Sequence, residues 1–141
     1  MPVTSHRTVT ITRMSAGRYS AVNGRGGTLE FGTGDVSDFT PVELLLTAIG
    51  GCTAVDVDAF TTRRAEPESF VVEVGGDKVR DEGGNRMEQL SVTFRLKFPD
   101  DDGGDAARAL LPEAVRRSHD RLCTVSRTVE LGTAVITRIE T

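Results

Sequence analysis

The chain has 141 residues, of which 38% are hydrophobic and 27% charged, and a formal net charge of −4 at pH 7. Such a length fits one domain spanning residues 1–141, long enough to bury a core, and the composition excludes a typical disordered chain. The acidic balance argues against a nucleic-acid partner, which calls for a positive surface. No run approaching ~20 apolar residues stands out, and the N-terminus lacks a basic-then-apolar leader, so we expect no membrane partner and a cytoplasmic, reducing location.

The first segment, Thr8 to Thr12, alternates at period two with β-branched residues throughout, which predicts a strand. Ser15-Ala16-Gly17 reads as a turn, Arg18 to Val22 as a second strand, and Thr28 to Phe31 as a third after the turn-rich Asn23 to Gly27. Three short strands so connected predict a meander or a hairpin with an added strand. Thr40 and Glu43 have capping-box spacing, and Pro41 suits the first helical position. The helix they open runs to about Arg64 and is apolar nearly all round to about Val57, from Leu44, Leu45 and Leu46 through Ile49 and Ala54. Such a helix is expected to be buried nearly all round, wrapped by a sheet, a second subunit, or both. Gly50 and Gly51 inside it cost roughly 1 kcal/mol each against alanine, which predicts a close backbone neighbour or a local break.

Beyond Pro67 the strand pattern returns at Phe70 to Val74. Leu90, Val92, Phe94, Leu96 and Phe98 then alternate with polar residues, with Asp81 to Asn85 as the connecting loop. The acidic run Asp100 to Asp105 lacks the ligand spacing of a calcium loop and reads as a solvated segment capping the next helix. Ala106 to Leu111 begins a helix, Pro112 restarts it, and it continues to Leu122. Cys123 to Leu131 is a further helical segment that Gly132 ends, and Thr133 to Ile139 closes as a strand. The order predicts an α+β fold with a curved antiparallel sheet around a long helix.

Two cysteines, Cys52 and Cys123, have neither zinc-site spacing nor a compartment that favours a structural disulfide. They are two buried small hydrophobes or a redox couple. Cys123 stands at a helix start near Arg121 and Arg127, a setting that lowers a thiol pKa. Cys52 has no such local aid: Asp56, four residues on and on the same helix face, raises its pKa. Glu43 lies nine residues before Cys52, half a turn out of phase on a straight helix. Arg18 and Arg25 are the candidate cations for Cys52. His6 and His119 read as surface residues without a catalytic or metal-ligand partner.

Thr40 to Leu46, followed by Gly50-Gly51-Cys52-Thr53-Ala54-Val55-Asp56-Val57, resembles the central-helix signature of the OsmC/Ohr family, the osmotically inducible and organic hydroperoxide resistance proteins. Leu122 to Ser126 resembles the second signature, in which the other cysteine opens a short helix, and the element order matches over essentially the whole chain. The resemblance implies an intertwined homodimer with the long helices at its centre and sites built from both subunits. It also implies a thiol peroxidase of oxidative-stress defence that uses no metal or flavin. In that role Cys52 matches the peroxidatic cysteine, which a hydroperoxide oxidises to a sulfenic acid. Cys123 matches the resolving cysteine, and a dithiol reductant regenerates the pair. Peroxidase members carry Asn-Pro-Glu at the helix start, whose glutamate orients an arginine over the thiol. Here Thr40-Pro41-Val42 occupies those positions and the carboxylate follows at Glu43, closest to the OsmC-like branch. The apolar surroundings imply organic rather than inorganic peroxide as substrate. The alternative is a non-enzymatic protein that binds a small apolar ligand on the same dimeric fold.

Overall fold

A computed structural model describes residues 2–141. The chain falls into two compact units, residues 1–45 and 46–141. The first holds a meander of three antiparallel strands in the order β1 (Val9–Ser15), β2 (Arg18–Asn23), β3 (Thr28–Gly32). Ile11 faces Ala21 across one pairing and Tyr19 faces Phe31 across the other. The rings of Tyr19 and Phe31 stack with centroids 5.6 Å apart. The Asn23 carboxamide oxygen accepts from the backbone N–H of Arg25 and of Gly27, each at 2.9 Å, which fixes the second turn. All seven residues of β1 are exposed.

Helix α1 (Pro41–Thr61) begins in this unit and continues into the second. Its start is the expected capping box: Glu43 Oε1 accepts from the Thr40 N–H at 2.8 Å, and Thr40 Oγ1 accepts from the Glu43 N–H at 3.2 Å.

In the second unit α1 buries Ile49, Gly50, Thr53, Val57 and Thr61, a single stripe at four-residue spacing. The expectation of burial all round is corrected for the chain by itself, since Val55 remains 71% exposed. The helix is also long and apolar enough by length and composition to cross a membrane, contrary to the expectation that no run would be. Small residues between the leucines and valines disguise that length. At Gly50 the buried stripe meets the protein's own hairpin, at Val72 and Val74. A Cβ on Gly50 would overlap the Val74 side chain, so the glycine allows the close approach its cost predicted, whereas Gly51 faces open space.

The hairpin pairs β4 (Ser69–Asp81) with β5 (Gly84–Lys97), longer strands with a tighter turn than the sequence pattern suggests. Val72 faces Phe94 and Val74 faces Val92, and these inward positions alternate with exposed ones. Asp101 caps α2 (Asp102–Arg117) by accepting from the Gly104 N–H at 2.7 Å, as the acidic run predicts. Pro112 does not restart this helix but lies inside it. From Ser118 to Leu122 the chain widens into a π turn rather than continuing as α-helix, and α3 (Thr124–Leu131) follows, ended by Gly132 in the left-handed region. Residues 133–139 form no strand, and Val135 is 90% exposed. They are rich in β-branched residues but have no strand beside them to pair with. The architecture is α+β with antiparallel sheets.

Candidate active site at the paired cysteines

Cys52 lies between Gly50 and Thr53 of the buried stripe of α1 and is itself half-buried. Cys123 is wholly buried and is the N-cap of α3, with extended backbone at φ −74° and ψ 98°. An N-cap side chain accepts from the open N–H groups of the first turn. Here the Cys123 sulfur accepts from the Ser126 N–H at 3.3 Å and lies 3.2 Å from the Ser126 hydroxyl. Thr53 of α1 also hydrogen-bonds Cys123. The Cys52 thiol reaches both the Val125 backbone and the Cys123 sulfur. The fold therefore brings together two cysteines that are far apart in sequence.

The two thiols are pushed in opposite directions. Burial raises the Cys52 pKa, and the hydrogen bond and charge of Cys123, with the charge of Asp56, raise it further against the lowering effect of the Val125 backbone. Burial also pushes Cys123 upward, but hydrogen bonds from the Ser126 hydroxyl and N–H, Thr53 and Cys52 outweigh it and leave the pKa lowered. A thiolate on this pair is therefore favoured at Cys123, with Cys52 donating to it. A peroxidatic Cys52 would be expected to carry the lowered pKa; in this chain Cys123 does, for its capping position rather than for a neighbouring arginine. The Arg127 guanidinium is directed to the Asp120 carbonyl at 3.4 Å.

The other expected site residues lie in the first unit. Glu43 sits in its capping box, and Arg18 on β2 pairs with Asp38 at 3.1 Å and Glu30 at 3.4 Å. Arg25 belongs to the exposed Asn23–Gly27 turn. Of the residues assigned to catalysis, Cys52 and Cys123 meet within the second unit, and Glu43 belongs to the first.

Sequence reasoning missed three contributors. Ser126 carried a readable signal, the three-residue spacing of an N-cap and its N–H donor. Ser118 carried none: it is wholly buried and donates to Asp56 Oδ2 at 2.7 Å across 62 positions. His119 is exposed, as the surface reading expected, but both its ring nitrogens meet carboxylates, Glu130 at 2.9 Å and Asp120 at 3.2 Å. Those hydrogen bonds raise its pKa.

His119 and Glu130 stand at the wall of a cavity of about 290 Å³. Ile49, Val92, Phe94 and Val115 supply apolar lining, while Thr53 and Ser126 connect it to the Cys123 sulfur. Among the described residues no three His, Cys, Asp or Glu side chains group as metal ligands. The arrangement can hold an apolar group beside two neighbouring thiols.

The chain is thus an α+β protein with one thiol on its long helix and a second at the cap of a short one. The family model described as OsmC-like protein matches residues 32–138, and this chain belongs to that family. An uncharacterized protein of Mycobacterium tuberculosis is 31% identical over 127 residues, covering 89% of this chain and 90% of its own length. Among solved structures, the OsmC-like protein of unknown function from Vibrio cholerae superposes with a TM-score of 0.73 at 13% identity, over 90% of this chain and 95% of its own. The organic hydroperoxide resistance protein OhrB of Bacillus subtilis superposes with a TM-score of 0.54 at 17% identity, over 89% and 90%. Both likenesses are of fold.

Proposed function

We propose that this protein is a cysteine-based hydroperoxide reductase of oxidative-stress defence, acting preferentially on organic hydroperoxides. The observation that carries the reading is the meeting of a half-buried Cys52 with a wholly buried, capped Cys123. Access assigns the first step to Cys52. Its thiolate forms when the shared proton sits on Cys123, and it attacks the distal oxygen of the hydroperoxide. The S–O bond forms, the O–O bond breaks, and the departing alkoxide takes the proton to leave as alcohol. The Cys123 thiolate then attacks the sulfur of the Cys52 sulfenic acid, expelling hydroxide and closing a disulfide. A dithiol reductant restores both thiols by exchange. The apolar cavity beside the pair supports an organic over an inorganic peroxide.

Further parts of the reading concern a second copy of the chain. The exposed β1, the exposed faces of α1 and the unpaired, apolar 133–139 segment support a homodimer. In it, an arginine from the other copy would move negative charge from Cys123 to Cys52. Arg18 suits this better than Arg25, because it is held by two carboxylates and its buried Nε has no hydrogen-bond partner. Glu43 is assigned to orienting that arginine, and the location to the cytoplasm. The cavity also favours a second reading, a binding protein for a small apolar ligand with slow, ordinary thiols.

Stopped-flow mixing with cumene hydroperoxide separates the two. Oxidation is expected to be rapid in the parent and at least about 100-fold slower in Cys52→Ser. Equal rates in parent and variant would exclude the peroxidase.

A further inference from the structure

We propose that Asp56 and Ser118 are positioning residues for disulfide closure, holding the cap residue Cys123 against α1 and so setting the effective concentration of one thiol at the other. The inference rests on the dithiol reading above and extends it to two residues that touch no substrate. Asp56 lies one helical turn after Cys52 on α1. Its Oδ2 accepts from the buried Ser118 hydroxyl at 2.7 Å. The Ser118 carbonyl in turn accepts from the Cys123 N–H at 2.8 Å. A short path of hydrogen bonds therefore runs from the helix of one thiol to the backbone of the other.

The place of Ser118 is informative. The bond from Cys123 back to Ser118 spans five residues, the spacing of the π turn, and such widened turns recur at functional sites. The turn delivers Cys123 in extended conformation to the start of α3. Without the anchor at its first residue, the turn has an α-helical alternative that would carry Cys123 to another place. His119 and Glu130 clip the same turn to α3 from its exposed side, but that pair does not reach α1.

Closure joins the Cys123 sulfur to the Cys52 sulfur. The S–O bond of the sulfenic acid breaks, and hydroxide leaves as water with a proton from solvent. Closure requires the two Cα atoms to come within about 6.8 Å, and a small displacement of one thiol lowers the effective concentration steeply. Asp56 also disfavours the Cys52 thiolate by its charge, so a test must separate charge from tether. Asparagine keeps an oxygen that accepts from Ser118 and removes the charge. Alanine removes both.

The full chain and its Asp56→Asn, Asp56→Ala and Ser118→Ala variants are equilibrated with mixtures of reduced and oxidised glutathione. The Cys52–Cys123 disulfide is then counted by mass spectrometry after acid quenching. The effective concentration is expected to fall about tenfold or more in both alanine variants and to stay near the parent value in Asp56→Asn. Alanine variants that are folded by circular dichroism and match the parent would overturn the proposal. So would an asparagine variant that falls as far as alanine. Asp56 is only part-buried, so its two variants decide the matter if Ser118→Ala does not fold. The readout contains no peroxide. A parent that forms the disulfide but ignores cumene hydroperoxide would defeat the peroxidase reading and leave this one standing; a parent that never forms it would defeat this one.

Discussion

A thiol reacts as its thiolate, so the residue that holds the shared proton governs the chemistry of the Cys52–Cys123 pair. Burial and Asp56 hold the proton on Cys52, while the donors around Cys123 favour charge there. As pH rises, the first thiolate is therefore expected at Cys123. Ultraviolet thiolate absorbance followed against pH should lose this first step in Cys123→Ser. In Cys52→Ala it should remain but move to higher pH, because the donor hydrogen bond from Cys52 is gone. An unchanged first step in Cys123→Ser would contradict the assignment. The tendency of Cys123 was legible because capping is local: the residue, its helix start and Ser126 lie within four positions. Two further neighbours were not, since Thr53 and Cys52 arrive through tertiary folding, and Arg127 is directed elsewhere.

At the scale of elements, α1 shows how a sequence states a requirement without naming what meets it. Two helix-weakening glycines demanded a reason, and only Gly50 has one here, in Val74 of β4. Gly50→Ala is expected to lower stability, because overpacking against a stiff valine costs about 1–3 kcal/mol and exceeds or offsets the helix gain of about 1 kcal/mol. Gly51→Ala, with open space before it, should raise stability by up to about 1 kcal/mol. Urea unfolding of the two variants checks the contrast, and the reverse order would mean that α1 packs by another face. The β4–β5 alternation and the capping box were readable because period and spacing are local properties. Segment 133–139 shows the limit: its β-branched residues suit a strand, but a strand exists only with a partner in its ladder.

At the scale of the molecule, α1 is apolar nearly all round yet buries one stripe within its own chain. Val55, strand β1 and segment 133–139 each leave large apolar side chains exposed, among them Ile11, Val135 and Ile139, the kind of surface that marks association. Sedimentation equilibrium is expected to give twice the chain mass at micromolar concentration, and a monomer at that concentration would remove the second copy from the site. The family was legible in full from two short signatures, because they contain the residues that bring the sulfurs together. The contact between the sulfurs themselves was not, because it joins positions far apart in sequence.

The most direct test of the central claim is a thiol count on the reduced protein before and after one equivalent of cumene hydroperoxide. The account predicts that the parent loses both thiols of each reacted chain to a Cys52–Cys123 disulfide, while Cys123→Ser stops at a sulfenic acid on Cys52. Retention of both thiols in the parent, or oxidation of Cys52 with Cys123 left free, would contradict it.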